Sequence, residues 1–192
     1  MTYINIILLS NLIIIVANAL ATPVQTIAAI NELTGLSLLS TLAVIGVDSV
    51  TAFLVRRLPE RWFAPPTMVM HVSERERRLY RRLGIKRWKE RVPELGVFTG
   101  FHKDHVESTT DVAYLRRFLL ELHYGVVIHA VNVVCGFAIL LLPGYPPTVT
   151  LPVALVNALL TGAPIAVLRH NAPALQRLYD RATAKLPPEV NQ

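Results

Sequence analysis

The chain alternates between long apolar runs without a single Lys or Arg and two polar stretches that carry all of them. The runs cover roughly Tyr3–Ala21, Leu36–Val55, Leu119–Leu142 and Val149–Leu168. Each is about the length needed to cross a hydrocarbon core of about 30 Å at about 1.5 Å per residue. The pattern predicts an all-α integral membrane protein. Residues 1–192 are expected to form a single four-span membrane domain, with spans at about 3–21, 36–55, 119–142 and 149–168, a loop 56–118 carrying interfacial helices, and a tail 169–192.

Charge then sets the orientation. All nineteen Lys and Arg residues lie between Arg56 and Arg117 or between Arg169 and Lys185. Cytoplasmic loops retain Lys and Arg near span ends, so the loop, the tail and both termini are expected in the cytosol of a multi-pass cell-membrane protein. The outer connections, Thr22–Gly35 and Pro143–Thr148, carry no cation and one acid, Glu32. No basic region precedes the first run, so it is expected to be a retained span rather than a cleaved signal peptide. A formal charge of +6 would suggest nucleic acid in a soluble protein. Beside spans, topology and anionic lipid headgroups account for the cations at about 1 kcal/mol each, and no nucleic-acid partner is expected. The single cysteine, Cys135, excludes an internal disulfide and a Cys-rich metal site, and no metal is expected.

The loop has local order of its own. Ser73 followed by Glu76 reads as a capping box opening a helix through about Leu83, with Gly84 as its stop. That helix, SERERRLYRRL, suits a segment lying on the lipid surface. Next, Ile85–Val92 places Trp88 among Lys86, Arg87, Lys89 and Arg91 before Pro93. Two readings stay open: an interfacial anchor, or a cation cluster for a phosphorylated ligand such as the nucleotide of coenzyme A. Asp111 is expected to cap a helix that runs through Tyr114 and Phe118 into the third span.

Polar groups at membrane depth are costly and mark candidate function. On the third span Glu121, Gly125, His129, Asn132 and Gly136 share an arc of about 80° at about 100° per residue. His123 points away from it and is expected near the headgroups. Counted from the nearest arginine at about 1.5 Å per residue, Glu121 lies about 6 Å deep, Asp48 about 12 Å, and His129 and Asn157 about 18 Å. On the fourth span Asn157, Thr161, Pro164, Leu168 and Asn171 share a face, and Pro164 leaves the Leu160 carbonyl without its helical partner. The matched depths suggest one polar cavity opening to the cytosol. Asn5, Asn11, Asn18 and Asn132 read instead as hydrogen bonds between helices.

Several motifs occur in a fixed order: Gly-Ile-x-x-Trp-Lys-x-x-x-Pro at Gly84–Pro93, GFHK ending at Lys103, Phe-x-x-Glu at Phe118–Glu121, His129 eight residues later, and Asn157 and Pro164 ahead of Arg169-His170-Asn171. Over roughly Leu58–Leu178 the chain resembles the glycosyl-4,4'-diaponeurosporenoate acyltransferase family of small bacterial membrane proteins. The resemblance implies transfer of a fatty acyl group, from acyl-CoA as donor substrate with no bound cofactor, to a sugar hydroxyl of a membrane glycolipid. By position, Gly84, Lys86, Trp88, Lys89, Lys103, Glu121, His129, Arg169 and Asn171 match the pattern. Of these, Lys86, Trp88, Lys89, Lys103, Arg169 and Asn171 are the candidates for holding the donor. The chain departs from the pattern at Val126, where the family has a second acid, and at Ala172 and Ala174, where it has further arginines.

Acyl transfer to an alcohol needs a base for the hydroxyl and a stabiliser for the developing oxyanion. His129, the one imidazole deep in a span, is the candidate base, with Asp48 or Glu121 to orient it and Asn157 to donate to the oxyanion. Glu121 and His129 are about 12 Å apart along one helix, which favours Asp48 as the neighbour of the base and Glu121 as partner of a loop cation or of substrate. No Ser-centred nucleophile motif occurs, Cys135 lies off the polar face, and His105 and Asp111 are one residue too far apart for the soluble glycerolipid acyltransferase signature. Two other classes fit the topology. One is a non-catalytic membrane subunit docking a larger cell-envelope enzyme or transporter; the other is a small proton-coupled transporter using Glu121.

Overall fold

The computed structural model describes residues 2–21, 26–64, 71–92 and 106–186. They are almost entirely helical: α1 (Thr2–Ala21), α2 (Ile27–Arg56), α3 (Glu74–Arg82), α4 (Ile85–Trp88), α5 (Val112–Cys135) and α6 (Pro147–Thr183), with 3-10 turns at Glu60–Trp62, Lys89–Arg91 and Gly136–Leu141. No strand occurs among the described residues. Four segments, Tyr3–Ala21, Ile27–Arg56, Val112–Leu141 and Pro147–Thr183, are long and apolar enough to cross a membrane. This is an all-α membrane protein. The chain divides into two compact units, residues 1–56 with 128–163 and residues 57–127 with 164–192.

The helices differ from the expected spans at their ends. α2 begins at Ile27, not near Leu36, because Thr26 Oγ1 accepts the Ala29 N–H at 3.2 Å and Gly35 is carried inside the helix. α5 starts where expected, with Asp111 accepting the Tyr114 N–H at 3.0 Å, and tightens into a 3-10 turn at Gly136. α6 continues fifteen residues past Leu168, so the segment after Arg169 is helical through Thr183. Basic residues change where a helix meets water, not whether it continues.

In the first unit α1 and α2 form an antiparallel pair joined by polar side chains. Asn11 donates to Thr41 Oγ1 at 3.1 Å and to the Ile7 carbonyl at 2.9 Å, and it accepts from Ser37 at 2.6 Å and Thr41 at 3.2 Å. Asn18 reaches the Thr148 carbonyl at 3.2 Å on α6, while Asn5 is exposed. Tyr3 directs its hydroxyl to the Leu160 carbonyl at 3.5 Å, the group that Pro164 deprives of a helical partner. Ile14, Val44, Ile139, Val149, Val153 and Ala154 form the core between these helices. The outward faces are apolar: Leu8, Leu12, Leu42, Phe53 and Leu159 all stand exposed. Contiguous exposed apolar surface of this kind belongs against lipid.

In the second unit the first half of α5 packs on the last part of α6 through Leu115, Phe118, Leu119, Leu122 and Val126 against Ala172, Leu175 and Ala182. A smaller cluster, Val72, Tyr80 and Ile85, ties α3 and α4 to Ala166 and Val167 on α6. The Ser73–Glu76 capping box opens α3, with Ser73 Oγ accepting the Glu76 N–H at 3.2 Å and the Glu76 carboxylate accepting the Ser73 N–H. Gly84 ends the segment at φ 60°, a left-handed conformation that glycine adopts without steric cost.

Candidate functional site

Four of the expected donor-site residues gather in the second unit around Tyr80. Trp88 packs on the Val72–Tyr80–Ile85 cluster and donates its indole N–H to the Leu83 carbonyl at 3.0 Å. Lys86 and Lys89 lie close enough to His170 for their charges to act on it, and the His170 ring meets Tyr80 edge-on at 6.1 Å. Arg169 is anchored from two sides, its Nε and Nη2 donating to the two Glu76 oxygens, the latter at 2.8 Å, and Nη2 also to the His71 carbonyl at 3.1 Å. Tyr80 donates to Glu76 as well. Asn171 is half-buried on α6, and Lys103 lies outside the described residues.

Glu76, Tyr80 and His170 did not emerge from the motifs as site residues. Their signal was present, since Glu76 and Tyr80 stand four apart on one face of α3 and His170 adjoins Arg169. Glu76 was assigned only to its cap, whereas a carboxylate can accept several donors at once. The hydrogen bond from Arg169, followed by that from Tyr80, outweighs burial and holds the Glu76 carboxyl below its ordinary range. Burial, then the Glu76 hydrogen bond, pushes the Tyr80 phenol up to about 12, so it stays a donor at working pH.

The sign of the pH dependence follows from those directions. A depressed Glu76 pKa contributes stability that is present above about pH 4.3, the unfolded value, and is lost as pH falls through the folded one. Glu76→Gln is expected to lower stability by about 1.5–3 kcal/mol at pH 7, the range for hydrogen bonds to charged groups, and by less at pH 4. Thermal melts at the two pH values check this. An equal loss at both would show that the carboxylate charge is not what anchors Arg169.

α5 brings Glu121 and His123 into the second unit. Glu121 is 2% exposed and pairs at 3.1 Å with Arg117, one turn earlier on the same helix. It thus takes a loop-side cation, as the depth argument favoured. His123 is not at a headgroup surface: it is 1% exposed. Every side chain from Phe118 to Tyr124 is buried, because α5 is covered on all sides there, including by Phe63, whose ring lies 4.3 Å from that of Tyr124. An angular argument on a bare helix cannot see a neighbour that covers the opposite face.

The first unit holds His129, Asp48, Asn132 and Asn157. The depth ruler set Asn157 level with His129 and Asp48 about 6 Å shallower, yet the contact that forms joins Asn157 to Asp48. Asn157 donates to the Asp48 carboxylate and, at 3.4 Å, to the Asn132 backbone carbonyl. It can do so because Gly136 lacks a side chain: a Cβ there would stand 2.4 Å from the Asn157 amide nitrogen. Asp48 Oδ1 and Asn132 Oδ1 are buried and accept no hydrogen bond among the described residues. Thr161 closes its own hydroxyl onto the Asn157 carbonyl at 2.7 Å. His129 is half-buried on α5.

A scan against protein-family models matches residues 59–181, well over half of the chain, to the glycosyl-4,4'-diaponeurosporenoate acyltransferase family. The chain belongs to that family. It is therefore an acyltransferase of the membrane, and an acyltransferase of this kind implies a lipid or glycolipid acceptor. Searches of curated proteins and of solved structures return no match. The matched region of the acyltransferase contains Lys86, Trp88, Lys89, Glu121, His129, Asn157, Arg169 and Asn171, whereas Asp48 precedes it. Among the described residues no group of three or more His, Cys, Asp or Glu side chains could hold a metal ion.

Proposed function

We propose that the protein moves a fatty acyl group from acyl-CoA to a sugar hydroxyl of a membrane glycolipid. The family match across residues 59–181 carries this reading. Support for the roles comes from residue chemistry within each unit. Lys86 and Lys89 supply charge for donor phosphates and Trp88 an aromatic face for the base, with Arg169 fixing the α3–α6 corner beside them. In the first unit His129 takes the proton of the attacking hydroxyl, and the oxygen adds to the thioester carbonyl carbon. Asp48 stabilises the resulting imidazolium by its charge, and the Asn157 amide exchanges its long 3.4 Å contact with the Asn132 carbonyl for the oxyanion. The C–S bond then breaks, and the leaving thiolate takes the proton from His129, giving an ester and free coenzyme A.

The donor is cytosolic, so this mechanism needs the basic loop inside. In a Cys135→Ala background, a cysteine replacing Glu90 is expected to resist a membrane-impermeant thiol reagent in intact cells, and one replacing Thr148 to react. The reverse labelling would remove the coenzyme A role. The activity itself is tested by comparing lipid extracts of cells expressing the wild type and His129→Ala. A glycolipid heavier by one fatty acyl group should appear only with the wild type. An unchanged lipid profile together with one stoichiometric membrane partner would favour the accessory-subunit reading.

A further inference from the structure

The first unit contains a pocket that the mechanism leaves unused. It lies among α1, α2 and α6, encloses about 360 Å³ counting its open mouth, and is walled mainly by apolar side chains such as Ile7, Ile14, Ile45, Val153 and Leu160. From Ile7 to Ile14 it runs about 10 Å along α1. Sites of this shape, apolar with a few placed polar groups, take apolar ligands and orient them by one end.

The polar walls are not equivalent. Ser10, Asn11 and Thr41 face the pocket, but Asn11 and Thr41 are committed to each other and to Ser37 or Ile7, so these two ask nothing of a ligand. Asn157 differs, because the residue that lines the pocket also holds the Asp48 carboxylate. Both N–H groups of its amide are engaged, by Asp48 and by the Asn132 carbonyl. Two acceptors at this node, Asp48 Oδ1 and Asn132 Oδ1, are buried and have no hydrogen-bond partner among the described residues, and Asn132 is 5% exposed. A buried acceptor without a donor is costly, and the group that relieves it is an O–H or N–H. A thioester carbonyl brings neither.

We infer that this pocket binds the apolar chain of the hydroxyl-bearing acceptor lipid, not the acyl chain of the donor, and seats on Asp48 a sugar hydroxyl adjacent to the one that reacts. The inference rests on the acyltransferase reading and gives its acceptor a place. Chain length then acts through burial: within the pocket each methylene removed from the acceptor tail lowers kcat/KM about fourfold.

Two measurements on the full-length protein in lipid nanodiscs test this separately from the activity. The first is photolabelling of the wild type with an alkyl glucoside bearing a diazirine on its chain. Label is expected on peptides containing Ile7–Ile14, Thr41–Ile45 and Val153–Leu160, and it should be competed by unlabelled alkyl glucoside but not by excess long-chain acyl-CoA. Competition by acyl-CoA, label elsewhere, or label equally displaced by any bilayer lipid would overturn the assignment even if the enzyme is active. The second uses Val156→Trp, with Ile45→Phe should the first variant misfold. Both are expected to flatten the dependence of kcat/KM on acceptor chain length and leave the dependence on donor chain length intact. Flattening of the donor series instead would assign the pocket to the acyl chain. Specific glucoside labelling in a protein that transfers no acyl group would keep the lipid site and count against the acyl-transfer reading alone.

Discussion

Replacing His129 by alanine is expected to lower acyl transfer by about 10²–10⁴, the range for a lost acid–base group, in a protein that still purifies as a folded particle. Folding should survive because His129 is half-buried and belongs to neither of the two units' core clusters. The loss should fall on kcat, since the proposed role of the imidazole is on the hydroxyl proton in the transition state rather than on either bound substrate. Asp48→Asn should also lower kcat, by less, because in the proposed mechanism it removes the charge assigned to the imidazolium while leaving a side chain that Asn157 can still meet. Steady-state kinetics with donor and acceptor varied in turn check both variants. Near-normal turnover in His129→Ala would make the polar stripe of α5 a packing feature and remove the chemical assignment of this unit.

Gly136→Ala is expected to cost about 10²–10³ in kcat, as much as losing an oxyanion donor. The added methyl would stand 2.4 Å from the Asn157 amide nitrogen and 3.4 Å from its carbonyl carbon, so the amide must swing away from Asp48 and the Asn132 carbonyl. Gly46→Ala is the control. A Cβ at Gly46 meets nothing within 4 Å, and alanine in a helix interior gains about 0.5–1 kcal/mol over glycine. The two substitutions are chemically identical, so a difference in turnover reports the Asn157 position. Equal activity in both variants would show that Asn157 is not held for catalysis.

Much of this architecture was legible because membrane insertion imposes a coarse code: apolar runs near twenty residues, and cations confined between them. The helix ends were less so. Nothing in the residues after Leu168 distinguishes a helix that leaves the membrane from one that stops, and α6 continues to Thr183 because Ala172, Leu175 and Ala182 find α5. The depth ruler set Asp48 about 6 Å shallower than Asn157, and the hydrogen bond between them forms because side-chain reach, which rise per residue leaves out, spans that difference. Angle was a poorer guide, as His123 shows. The Glu76–Tyr80–Arg169 cluster joins residues 93 positions apart in sequence, a pairing no local pattern encodes. The close approach at Gly136 was likewise hidden, because a glycine in a span signals space without naming the side chain that fills it.

The proposed reaction is direct transfer from a thioester to a lipid hydroxyl. It is tested most directly by purified protein in nanodiscs, given radiolabelled long-chain acyl-CoA and an alkyl glucoside acceptor. The expected result is label in an alkali-labile acyl glucoside, formed with an equal amount of free coenzyme A, absent in His129→Ala and insensitive to chelators. Acyl-CoA left intact by wild-type protein that is folded and binds the glucoside would contradict the account.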